Sequence, residues 1–122
     1  MTWYGVHVIM AVRFKDGNQN AFPAWENVYL VHATSSDEAE AKAAAIGREN
    51  EGDSSGTFNW DDRPATWVYV GVRKIIEISN ALAMANEPSD GVEITYSTLE
   101  FKSEDTLKQY ASGESTELTA VE

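Results

Sequence analysis

The chain holds 122 residues in 13.5 kDa, room for one domain, and a domain of that size can hide about two-thirds of its unfolded surface in a core. With no cysteine it has no disulfide framework, no thiolate metal site and no cysteine nucleophile. Twenty acidic residues against nine basic ones leave a net charge of −11, which disfavours phosphate-rich nucleic acid and anionic lipid as partners.

Val and Ile number 16 against five Leu, a β-branched excess that favours strands. A first strand is predicted over 3–14. Tyr4, Val6, Val8, Met10, Val12 and Phe14 share one parity, and Trp3, Gly5, His7, Ile9, Ala11 and Arg13 share the other. One face is wholly apolar and the other half apolar, as an interior strand requires. Asp16-Gly17-Asn18 signals a turn, and a second strand runs from about Glu26 to Ala33. Ser35 then caps a helix over about 36–50, with Glu38 at capping-box spacing and Asp37, Glu38 and Glu40 at the positive end of the dipole. Its narrow stripe of Ala39, Ala43 and Ile46 lets it lie close to a sheet.

A loop over 51–64 carries Phe58 and Trp60. Residues 65–78 form the strongest strand signal, with Val68, Val70, Val72, Ile76 and Ile78 opposed by Trp67, Tyr69, Gly71, Arg73 and Ile75. Lys74 falls on the apolar side, which predicts a bulge or strand end near Arg73-Lys74. A helical turn follows at Asn80–Ala85, then a fourth strand at about Val92–Phe101. Ser103 caps a short helix over about 103–112, and 114–122 reads as a disordered acidic tail.

The expected fold is therefore a two-layer α+β domain over 2–113, in β-β-α-β-β-α order. It has a mostly antiparallel four-stranded sheet and one main helix on one face. Val6, Val8, Leu30, Ile46, Val68, Val70 and Ile94 are the expected core. The N-terminal residues lack the basic start of a signal peptide, and no apolar run nears the roughly 18 residues of a membrane span, so a soluble cytoplasmic protein is expected.

Several segments resemble a known family. They are Trp3-Tyr4, the run from Glu26 to Ala33 into Asp37-Glu38-Ala39 with Ala43, Trp67-Val68-Tyr69-Val70-Gly71-Val72, and Glu93-Ile94-Thr95-Tyr96-Ser97. The family is a bacterial one catalogued as domain of unknown function 4288, and the likeness spans about 2–101. Ser79 to Asp90 looks longer than the hairpin usual in that family. The resemblance supports the fold and implies no activity.

Chemistry-bearing residues are sparse. His7 and His32, on neighbouring strands, would need a carboxylate to make a metal site and lie in no ligand-spaced motif, so hydrogen-bonded strand histidines are the simpler reading. Asp61-Asp62 beside Trp60 supplies two carboxylates for a cation or an acid/base pair; a turn before Pro64, neutralised by Arg63, explains the same letters. No GxSxG or P-loop motif occurs, and no cofactor is implied.

Trp3, Tyr29, Trp67 and Tyr69 oppose the aliphatic strand faces. If the helix covers the aliphatic side, these rings line the other face as a binding surface with Arg13 and Arg73. Otherwise they pack beneath a loop through Trp25, Phe58 or Trp60. Acidity concentrates in 37–62 and 77–105, either as a solvated face or as a surface that steers a basic partner, with Asp37, Glu38, Glu40, Glu49, Glu51 and Asp53 at its centre. Two functions follow. One is a non-catalytic protein-binding module, immunity-like toward a basic protein. The other is a small-ligand or hydrolytic domain using His7 and the Asp61-Asp62 loop.

Overall fold

Strand β1 (Thr2–Phe14) is the axis of the molecule, and the computed structural model describes residues 1–79 and 88–121 around it. β1 pairs antiparallel with β2 (Ala24–Ala33) on one side and with β4 (Arg63–Ile78) on the other. A two-residue strand, β3 (Asn59–Trp60), completes the order β2-β1-β4-β3. The helix α1 (Ser36–Glu49) packs on one face of this four-stranded antiparallel sheet. Farther along lie β5 (Leu99–Glu100), α2 (Glu104–Ala111) and β6 (Thr119–Ala120), with β5 and β6 paired as a separate ribbon.

The fourth strand of the sheet is thus the short β3 and not Val92–Phe101. From that stretch Leu99–Glu100 alone is a strand, and it pairs with Thr119–Ala120 of the C-terminal segment. The helical turn expected at Asn80–Ala85 lies outside the described residues. No helix among the described residues is long and apolar enough to cross a membrane.

α1 begins as its sequence dictates. Ser35 Oγ accepts from the Glu38 backbone N–H at 3.1 Å, while the Glu38 carboxylate turns to the Thr34 hydroxyl (2.6 Å) and Lys42 (3.2 Å). Ala39, Ala43, Ala44 and Gly47 face the sheet. The buried cluster beneath them joins Tyr4, Val6, Val8 and Met10 of β1 to Val31 and Ala33 of β2. Val6, Val8 and Val12 are fully buried, each contributing roughly 1.5–3 kcal/mol of hydrophobic stabilisation. A second cluster of Val12, Phe14 and Ala65 lies at the far end of the sheet, sealed by Phe58, Trp60 and Trp67.

Two bulges set the side-chain phase of β4. Pairing runs His7 to Lys74 and then Val8 to Val72, leaving Arg73 extra; it runs Ile9 to Gly71 and then Met10 to Tyr69, leaving Val70 extra. The first is the bulge expected near Arg73-Lys74. The two together send Trp67, Tyr69, Val72 and Ile75 toward the helix and turn Val68 and Ile76 away. The expected core changes accordingly. Val6 and Val8 are buried, and Ile46 and Val68 are half-buried. Leu30, Val70 and Ile94 are 50%, 60% and 51% exposed, because Leu30 lies on the helix-free face of an edge strand, Val70 is the bulge residue and Ile94 sits outside the sheet.

Candidate functional site

The four sequence-predicted aromatics do not share a face. Tyr29, Trp67 and Tyr69 lie under or beside α1, on the covered side, and Trp3 alone lies opposite, stacked on His32 at 4.2 Å and 7°. α1 is the cause: its inner stripe is built from Ala and Gly, so bulky rings are needed to fill the space between helix and sheet. Gly47 comes so close that an added Cβ would stand 2.6 Å from Tyr69 Cδ1 and 3.0 Å from Val8 Cγ1. The Arg48 guanidinium lies 5.0 Å from the Tyr69 ring centre, and Asn50 donates to Tyr29 Oη at 3.1 Å.

Beyond the end of α1 the 51–64 loop folds onto the same face. Phe58 stacks on Trp67 at 5.4 Å, and Trp25 meets Trp60 and Trp67 edge-on at 5.2 and 5.0 Å. The loop covers part of the aromatic face and leaves a cleft of about 210 Å³, lined by Met10, Trp25, Asn27, Tyr29, Asn50 and Trp67. Trp25, Asn27 and Asn50 are functional candidates that strand parity could not nominate, because this cleft exists only where three strands meet the end of the helix.

Asp61 and Asp62 form the turn of the β3–β4 hairpin. They occupy its two central positions with φ of 53° and 58°, the left-handed conformation of a type I′ turn. Arg63 pairs with Asp16 at 2.8 Å and stacks over Phe14 at 3.7 Å. That pairing, together with the Asn18 backbone N–H, which contributes most, holds the Asp16 carboxyl below its ordinary range. His7 lies seven residues of strand from Phe14, about 23 Å at 3.3 Å per residue, so it and the Asp61-Asp62 turn form no common site.

His7 anchors a different constellation on the helix-free face. Its side chain is buried between Glu26, whose Oε2 lies 2.5 Å from Nδ1, and Thr95, whose Oγ1 lies 2.5 Å from Nε2. Arg73 donates to the same Glu26 oxygen at 3.0 Å. Beside it Lys74 donates to Tyr96 O and lies 4.5 Å from the Tyr96 ring centre. Across β1, Ile94 O stands 2.6 Å from where a Gly5 Cβ would be. These contacts pin residues 94–96 across the middle of the sheet. Among the described residues no group of three His, Asp or Glu side chains is arranged to hold a metal.

The pinned segment leaves β2 open. Val12 donates to Pro23 O on the β2 side and Lys15 to Pro64 O on the β4 side, so even-numbered β1 residues direct their backbone toward β2. The alternate residues of β2, namely Glu26, Val28, Leu30 and His32, therefore turn their N–H and C=O groups outward. Lys42 takes the His32 carbonyl at 2.8 Å, and among the described residues no strand pairs with this edge. Val28 and Leu30 are 42% and 50% exposed, and Ile94, seated on Gly5, lies beside Leu30, the Gly5 partner in β2.

The acidic residues do not form one free face. Asp37, Glu40 and Glu49 are exposed on α1. Glu38 is bound to Thr34 and Lys42, which hold its carboxyl below the ordinary range, the Thr34 hydroxyl contributing most. Glu51 accepts from the Tyr69 backbone N–H at 2.8 Å. Asp53, lowered chiefly by Lys15 and then by the Gly56 N–H, closes its own turn. Glu40 faces Arg73 and Lys74 of β4 across a hollow, and Glu38 faces β2, about 200° away around the helix.

Fold and surface together define a two-layer α+β domain whose antiparallel sheet, among the described residues, has one long edge without a partner strand. The chain belongs to the family described as domain of unknown function (DUF4288), whose pattern matches residues 3–96. The matched stretch takes in β1 to β4 and ends at Tyr96, so it includes the His7–Thr95 contact. No curated protein and no solved structure matches the chain.

Proposed function

We infer that this domain is a non-catalytic protein-binding module that receives an extended segment of a basic partner along β2. The observation that carries the reading is the edge itself. β2 offers ten residues of strand in unbroken register with β1, outward backbone groups, and half-exposed Val28 and Leu30 in alternation. An added strand would gain main-chain hydrogen bonds from Glu26, Val28 and Leu30 and apolar contact from the Val28 and Leu30 side chains.

Net charge supplies the other half of the argument. At −11 the protein attracts cations from a distance, with Asp37, Glu40 and Glu49 among the exposed contributors, while docking falls to the edge. Neutralising a basic toxin is one task of this kind. The reading is tested with the protein as bait in a lysate, beside Leu30→Lys and in about 0.5 M salt, where the Debye length is short. A basic protein retained in stoichiometric amount, lost on Leu30→Lys and slower to associate in salt, supports it. Retention indifferent to both changes, or no stoichiometric partner, overturns it.

A further inference from the structure

The cleft lined by β1, β2, β4 and Asn50 at the end of α1 uses the opposite set of β2 side chains from the proposed docking edge. Trp25, Asn27 and Tyr29 point toward the helix side, whereas Val28 and Leu30 point away. Its lining is three aromatic rings, one thioether and two carboxamides; in a protein of net charge −11 no charged side chain lines it. Trp25 is 41% exposed, an unusual position for a ring already packed edge-on against two others. Asn27 is half-buried, and among the described residues no group hydrogen-bonds its amide. Asn50 donates to Tyr29 Oη, which leaves its amide oxygen and the phenol as further acceptors.

We propose that this cleft binds a neutral sugar ring. A cleft of about 210 Å³ is of a size to seat a single saturated ring. A pyranose has apolar C–H faces for an indole and hydroxyls that both donate and accept, matching the capacity of two carboxamides and a phenol. A nucleobase fits less well. Its flat ring asks for parallel aromatic walls, and here Trp25 stands at 89° and 82° to Trp60 and Trp67. The phosphates of a nucleotide would also meet no basic group among the described lining residues and an acidic protein around them.

The test is an NMR titration of the full chain, following the Asn27 and Asn50 side-chain amides and the Trp25 and Trp67 indole N–H signals. The probes are methyl β-glucoside, N-acetylglucosamine, cellobiose and, as a competitor class, adenosine. The expected result is saturable movement of those four signals with at least one sugar, at a dissociation constant on the order of 1 mM. Asn27→Ala and Trp25→Ala should each weaken it at least tenfold. If Trp25→Ala loses its dispersed amide spectrum, Asn27→Ala alone decides. No saturable movement with any sugar up to about 100 mM, equal binding by Asn27→Ala, or tighter binding of adenosine overturns the proposal. Leu30→Lys, which disables the docking edge, leaves sugar binding intact, so the two readings fail separately.

Discussion

Replacing Gly47 with alanine opposes helix propensity to packing at one position. Glycine inside a helix is about 0.5–1 kcal/mol worse than alanine, so on propensity alone Gly47→Ala stabilises. The neighbours reverse the sign. The new Cβ would stand 2.6 Å from Tyr69 Cδ1, 3.0 Å from Val8 Cγ1 and 3.1 Å from Tyr69 Cε1, against the roughly 3.5–4.0 Å of unstrained carbon contacts. Val8 is fully buried and held between β2 and β4, so it cannot yield. Tyr69 is half-buried and can pivot only by leaving Arg48.

Overpacking of this order costs about 1–3 kcal/mol. Subtracting the propensity gain leaves a net loss of about 0–2.5 kcal/mol, centred near 1, or up to about 10 °C in Tm at about 4 °C per kcal/mol for a domain of this size. Thermal unfolding followed by circular dichroism measures it. In a Tyr69→Ala background the clash with the ring is gone and Gly47→Ala should become close to neutral, a coupling that a double-mutant cycle reads directly. A raised Tm for the single variant in the wild-type background would refute the close approach of helix and sheet.

Three further outcomes are expected. Gly5→Ala, whose Cβ would meet Ile94 O at 2.6 Å, should lift residues 94–96 and cost about 1–3 kcal/mol; amide shifts at 93–97 identical to wild type would contradict this. Val6→Ala, in the fully buried centre, should cost about 2 kcal/mol or more in urea unfolding, whereas Val70→Ala, at the exposed bulge, should stay within about 0.5 kcal/mol. Asp16, Glu38 and Asp53 hold pKa values lowered from 3.8, 4.5 and 3.8, so their contribution is present above those ordinary values and is lost as pH falls through the lower, folded ones. The urea midpoint should therefore be flat from about pH 7 to 5 and fall below about pH 4, with a shallower fall in Asp16→Asn and Asp53→Asn.

The strand, helix and strand that make the layers were legible because each carries its own periodicity and caps. β1 shows alternation over 13 residues, and Ser35 and Ser103 both cap the helices they precede. What failed was the choice of face. β1 is apolar on one side and half apolar on the other, so its alternation does not say where the helix docks, and β4 changes phase twice within 16 residues. One sequence signal did bear on it. A helix whose inner stripe is Ala39, Ala43 and Gly47 requires large rings opposite, which places Tyr29 and Tyr69 under it. The contact of His7 with Thr95 spans 88 residues and has no local trace, and the amide-lined cleft depends on three strands and the end of the helix converging.

The position of β1 between β2 and β4 also orders the folding reaction. β2 meets β1 through the connection over 15–23, and α1 follows directly, so this part can form from contacts nearer in sequence at lower loop-closure cost. β4 reaches β1 only by closing separations of about 50–75 residues, from Phe14–Ala65 to Trp3–Ile78. Until it arrives, one whole edge of β1 and the part of the helix that meets Tyr69 stay open to water. The docking of β4, with its two bulges finding register, is then the entropically costly event, and it gives the domain the slower folding of proteins rich in distant pairings.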